Sequence, residues 1–123
     1  MKSKIFEASV TAIGAEAQEM IAAANLLILF GDGAPADLAD FCFTIDNKRL
    51  TGSIHTGGQV VVDGQPYPIT AVGQVVETNL KNLGHITIAF DGSTEGSLPG
   101  TLHIDAPHQV HIKEGTVIQI FTA

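Results

Sequence analysis

Tryptophan is absent from these 123 residues, and cysteine and tyrosine occur once each. One cysteine excludes an internal disulfide. Cys42 stands between Phe41 and Phe43, the setting of a buried structural thiol rather than a catalytic one. Positive charge is scarce: 6 Lys and Arg face 13 Asp and Glu, for a formal net charge of −7. That balance argues against nucleic acid and anionic membrane surfaces as partners. Long apolar runs are missing too. The run Leu26–Phe30 is far short of the roughly 20 residues a membrane-spanning helix needs. The start, Met1 to Val10, lacks the apolar stretch of a secretory signal, so the cytoplasm is the expected address, without direct membrane insertion. No Walker loop, dinucleotide fingerprint or EF-hand loop is present, and no Ser-His-Asp order supports hydrolysis. An autonomous kinase or hydrolase is therefore not expected, and neither a metal nor an organic cofactor is implied.

What is present is strand-like. Apolar residues make up 45% of the chain and glycines number 13, enough for one core and many tight turns in a single domain over residues 1–123. Lys4–Ile13 alternates apolar and polar residues as a strand does, and AEAQEMIAAA after Gly14 has the composition of a short helix. Leu26–Phe30, Phe41–Ile45 and Leu50–Ile54 read as strands, with one helical turn over Pro35–Asp40. Asp63-Gly64 between Gln59–Val62 and Tyr67–Val72 predicts a hairpin, and Pro66 and Pro68 suit an edge strand. A short helix is expected within Gln74–Leu83, closed by Gly84, and further strands at His85–Phe90, Thr101–Ile104 and Thr116–Phe121.

An internal repeat is the best clue to architecture. Asp32-Gly33 and Asp91-Gly92 lie 59 residues apart, each after an apolar run, and the same offset lays Phe43-Thr44-Ile45 on Leu102-His103-Ile104. At a slightly shorter offset, Gly58-Gln59-Val60-Val61 resembles Gly115-Thr116-Val117-Ile118. The fold class expected is all-β: a small barrel-like domain with one or two short helices. Two duplicated halves are one way to build it, and coincidence among strand-like segments is the other.

The chemistry-bearing candidates are histidines. His55 precedes Thr56, Gly57 and Gly58, whose backbone amides can approach an anion closely, and neutral imidazole is a good nucleophile near pH 7. The alternative is a plain turn. His85 opens a strand after Gly84 and can donate a hydrogen bond; it can equally be a partly buried histidine on a backbone carbonyl. His103 alternates against Leu102 and Ile104, which makes it exposed or groove-lining if those two face the core. His103, His108 and His111 lie close together, but their spacing matches no metal motif.

GAPADL, FCF, GSIHTGG, YPITAVG, NLKNLGHITIAFDG and PGTLHI occur in this order. Together, from about Ile5 to Phe121, the chain resembles the glucitol/sorbitol-specific IIA component of the bacterial phosphoenolpyruvate-dependent sugar phosphotransferase system. The resemblance implies a phosphoryl carrier forming a phosphohistidine, with HPr as donor and the glucitol/sorbitol IIB and IIC components as partners. It also implies an acceptor histidine two residues after the Cys-Phe pair, where this chain has Ile45. His55, His85 and His103 fall on histidines of the family pattern; His108 and His111 do not. The expectation is that His55 is the nucleophile, that His85 and His103 support it, and that Thr56, Gly57 and Gly58 hold the phosphoryl group. The other reading is a phosphorylation-incompetent relative that serves as a regulatory or small-molecule binding module.

Overall fold

A computed structural model describes residues 2–96, 98–107 and 110–123. Strands β1 (Lys4–Ile13), β2 (Leu26–Phe30) and β3 (Phe43–Ile45) are joined by helices α1 (Ala17–Ala24) and α2 (Ala36–Ala39). There follow β4 (Gln59–Val62), β5 (Gln65–Val72), α3 (Val76–Leu83), β6 (Ile86–Ala89), β7 (Thr101–Ile104) and β8 (Val117–Phe121). The strands close a barrel in the order β1-β3-β2-β6-β7-β5-β4-β8. Closure gives every strand two neighbours and so abolishes free edges. One face of each strand fills the interior, where Leu27, Leu29, Phe43, Ile45, Ile88, Leu102 and Ile104 are at most 1% exposed.

The repeat is realised as two-fold internal symmetry. Val10 pairs with Ile45 and Ile13 with Phe43; 59 residues on, Ile69 pairs with Ile104 and Val72 with Leu102. Both ladders carry an irregularity at the same place, between Val10 and Ala12 and between Ile69 and Ala71. The parallel pairs β2–β3 and β6–β7 share one register, Leu29 opposite Phe43 and Ile88 opposite Leu102. Antiparallel pairing of β2 with β6, Leu27 to Ile88 and Leu29 to Ile86, lies across the symmetry axis. Helices α1 and α3 correspond as well, each ended by a left-handed residue, Asn25 (φ 58°) and Gly84 (φ 68°). For β4 and β8 the observed correspondence is one residue off the sequence match. Gln59 pairs with Pro68 where Val117 pairs with Ser9, so Gln59 answers to Val117 rather than to Thr116.

Several sequence expectations are corrected. Leu50–Ile54 is not a strand: the closed barrel offers no free edge to pair with. Leu50 and Ile54 are buried from an irregular segment, tied down by the Thr51 N–H on the Ile5 carbonyl at 2.9 Å. β5 is not an edge strand. It pairs with β4 from Gln65 to Pro68 but with β7 only from Ile69 onward. The Ile69 N–H bonds the Gly58 carbonyl on the β4 side, so the nitrogens of Pro66 and Pro68 face away from β4; no β4–β5 bond is lost, and the Pro68 carbonyl still accepts the Asp105 N–H at 3.0 Å. The fold class is the one expected, an all-β barrel, and its short helices number three among the described residues once the turn expected over Pro35–Asp40 is counted as α2. The β4–β5 hairpin turns as expected, with positive φ at Asp63 (47°) and Gly64 (84°), the type I′ pattern.

Candidate functional site

The three histidines singled out by sequence occupy different environments. His55 is exposed in the turn ahead of β4. Its carbonyl accepts the Gly58 N–H at 3.2 Å, and the Gly57 N–H donates to the Ile69 carbonyl at 3.1 Å. Two of the three amides expected to cradle a phosphoryl group are thus already committed to the backbone. The symmetry explains them. Lys113-Glu114-Gly115-Thr116 forms the same turn, with the Thr116 N–H on the Lys113 carbonyl and the Gly115 N–H on the Val10 carbonyl. Gly57 (φ 91°) and Gly115 (φ 89°) hold the same left-handed conformation. His55 stands where the other half has a lysine.

His85 follows the Gly84 cap of α3 and precedes β6. Its ring lies 4.9 Å from that of Phe30, and Nδ1 is 3.3 Å from the Leu29 carbonyl oxygen. A carbonyl only accepts, so this contact puts the proton on Nδ1 and leaves the lone pair on Nε2. The ring is half-buried, braced and in one tautomer.

His103 is 5% exposed, which corrects the expectation of an exposed or groove-lining residue. It does face away from Leu102 and Ile104, but the outer face is covered there. Nδ1 lies 2.8 Å from Asp91 Oδ1, while Nε2 is buried with no hydrogen-bond partner. Partial burial would raise the Asp91 carboxyl, yet hydrogen bonds from His103 and the Ser93 N–H hold it below its ordinary value. Sequence reading missed Asp91 as the partner. Parallel strands end side by side, so the repeat itself contained the signal.

The three rings are not assembled into one site. His85 and His103 lie at opposite ends of the parallel β6–β7 pair, and β5 separates the His55 turn from β7. Among the described residues no hydrogen bond or ion pair joins any two of them. His108 lies outside the described residues, and among those described no group of three or more His, Cys, Asp or Glu could hold a metal. Burial pushes the Cys42 thiol up, and Sγ donates to the Leu38 carbonyl at 3.1 Å, the behaviour of a structural cysteine.

A groove of about 610 Å3 opens beside the ends of β2 and β3, lined by Thr11, Asp32, Thr44, Ile45, Asp46 and Lys48 among others. Lys48 reaches across to donate to the Asn82 carbonyl at 2.9 Å, and the Ser9 N–H fixes Asp46 Oδ1 at 2.8 Å. Ile45 is 1% exposed and offers no nitrogen to a phosphoryl group.

The family model for the PTS system glucitol/sorbitol-specific IIA component matches residues 5–119. The chain belongs to that family. The glucitol/sorbitol-specific EIIA components of Shigella flexneri and Escherichia coli (strain K12) are each 42% identical to it over 115 residues, 94% of this chain and 93% of the relative. The crystal structure of a PTS system IIA component from Enterococcus faecalis V583 superposes with a TM-score of 0.78 at 27% identity, covering 92% of this chain and 97% of the other. Membership makes this a component of the sugar phosphotransferase system, whose IIA proteins take part in phosphoryl transfer. Among the described residues no helix is long and apolar enough to cross a membrane.

Proposed function

We propose that this chain is a phosphoryl carrier that accepts its group from phospho-HPr on a histidine and delivers it to the IIB component for glucitol or sorbitol uptake. The observation that carries the reading is the His85 Nδ1 contact with the Leu29 carbonyl, which leaves Nε2 a free lone pair on a braced, partly accessible ring. His85 therefore replaces His55 as the favoured acceptor. In the transfer, Nε2 attacks phosphorus in line while the bond to the donor breaks and its electron pair leaves with the donor. The proton stays on Nδ1, where the Leu29 carbonyl favours the positive charge that builds on the ring. Neither a metal nor an organic cofactor enters the step. HPr and the IIB and IIC components are the partners, and this chain meets them from the cytoplasm.

Ile45 supports a second reading, a relative that has lost phosphorylation and keeps its groove for regulation or small-molecule binding. Intact mass after incubation with phosphoenolpyruvate, enzyme I and HPr separates the two. The carrier gains one acid-labile phosphoryl group, retained in His55→Ala and lost in His85→Ala. A gain lost only in His55→Ala moves the acceptor to the turn. No gain, with a control IIA protein labelled in parallel, leaves the second reading.

A further inference from the structure

His103 stands at the other end of the β6–β7 pair from His85, yet it is the most completely oriented imidazole of the three. Its Nδ1 proton is held by Asp91 at 2.8 Å, so the Nε2 lone pair is both fixed and electronically enriched. That Nε2 is the one buried side-chain nitrogen or oxygen without a hydrogen-bond partner among the described residues. A histidine retained only for packing would bury its polar atoms satisfied.

The symmetry shows how its surroundings differ from those of the open groove. Thr11, Asp32 and Thr44 line the open groove, and their counterparts 59 residues on are Thr70, Asp91 and His103. At this second position segment 92–96 lies down on the barrel. The Thr70 hydroxyl donates to the Ser93 carbonyl at 2.6 Å, and the Gly92 N–H donates to the Ile104 carbonyl at 2.9 Å. Gly96 sits so close that an added Cβ would be 2.8 Å from the Val72 carbonyl oxygen. On the strands either side, the residues in register with His103 are Ala71 and Ala89, the smallest side chains that still cover the sheet.

We infer that Asp91 and His103 form a second, latent phosphoryl-acceptor site, which segment 92–96 covers and which opens when that segment lifts. The acceptor is His103 Nε2. A phosphoramidate-type donor loses its P–N bond as the P–Nε2 bond forms, ammonia leaves with the electron pair and takes up a proton from water, and the ring proton stays on Nδ1, donated to Asp91 Oδ1. The site is independent of which histidine serves the relay, because a small donor needs no protein partner.

The test is labelling of the folded chain with phosphoramidate, with acid-labile phosphate mapped to each histidine and Cys42 probed in parallel with a thiol reagent. In the parent chain His55 labels readily and His103 slowly. Gly96→Val lifts the segment against the Val72 carbonyl and raises His103 labelling by about tenfold, a shift of about 1.4 kcal/mol toward the open form. Thr70→Val, which removes one anchor without adding bulk, acts in the same direction and carries the test if Gly96→Val fails to fold. Buried Cys42 stays protected throughout. The inference is overturned if His103 remains unlabelled in both variants, if it labels in the parent as fast as His55, or if it labels only when Cys42 does, which would mean global unfolding.

Discussion

The two halves of the barrel differ most where their sequences connect equivalent strands with segments of equal length. Asp32 to Asp40 and Asp91 to Pro99 occupy corresponding stretches, and each ends in the same contact: the Glu16 N–H bonds the Asp40 carbonyl, the Val75 N–H the Pro99 carbonyl. In the first half Pro35 caps a turn of helix, α2, and an open groove remains below. In the second, Gly92 and Gly96 let the chain lie against the barrel, held at Thr70, Ile104 and Val72. Proline at a helix start and glycine at a close approach are small local choices. Between them they decide which half has an accessible groove and which has a buried histidine held by a surface aspartate.

The equivalence is most severely tested in the core. Leu27→Ala and Ile86→Ala remove symmetry-related side chains at the β2–β6 seam, 0% and 1% exposed, and each is expected to cost about 2–5 kcal/mol in urea denaturation. A large inequality between them would break the two-fold description. Next come the glycines against the loop ends. A Cβ on Gly14 would lie 2.3 Å from the Ala39 carbonyl oxygen, and one on Gly73 2.4 Å from the Leu98 carbonyl oxygen. Gly14→Ala and Gly73→Ala should each lose about 1–3 kcal/mol by thermal melting, both through backbone displacement.

The Asp91–His103 pair, which only one half possesses, gives a smaller and pH-dependent effect. Asp91 is held below its ordinary value, so its contribution is present above the unfolded carboxylate pKa of about 3.9 and is lost as pH falls through the folded value. Its side chain is 48% exposed, so Asp91→Asn should cost less than about 1 kcal/mol at neutral pH. The gap to the parent should close in acid, read as denaturation midpoints from pH 7 to pH 3. Least disruptive is Thr44→His, which places an imidazole near Asp32 in the open half. Stability should change by no more than about 0.5 kcal/mol. The new ring should label with phosphoramidate faster than His103 does; equal protection of both would show that the open groove is not what separates the halves.

Much of the fold was legible because local signals agreed with one another. Alternation over Lys4–Ile13, Asp63-Gly64 in the hairpin and Gly84 after α3 each name a local geometry that the barrel then uses. Leu50–Ile54 misled because a strand needs a partner edge as well as a suitable composition. Glycines in a turn have one appearance in sequence whether their N–H groups face a ligand or a carbonyl, so Gly57 and Gly58 gave no sign of their backbone partners. Only the pairing of Gly57 with Ile69, repeated by Gly115 with Val10, tells which.

The sequence by itself determined the all-β character, the repeat at 59 residues, the family, and the isoleucine at position 45, since each is a property of residue identity and spacing along the chain. Tertiary structure alone decided the environments of the three histidines. Exposure for His55, a fixed tautomer for His85 and burial against Asp91 for His103 all depend on groups far away in sequence or on a covering segment. A ring's reactivity is set by what surrounds both its nitrogens, and barrel closure brings those surroundings together.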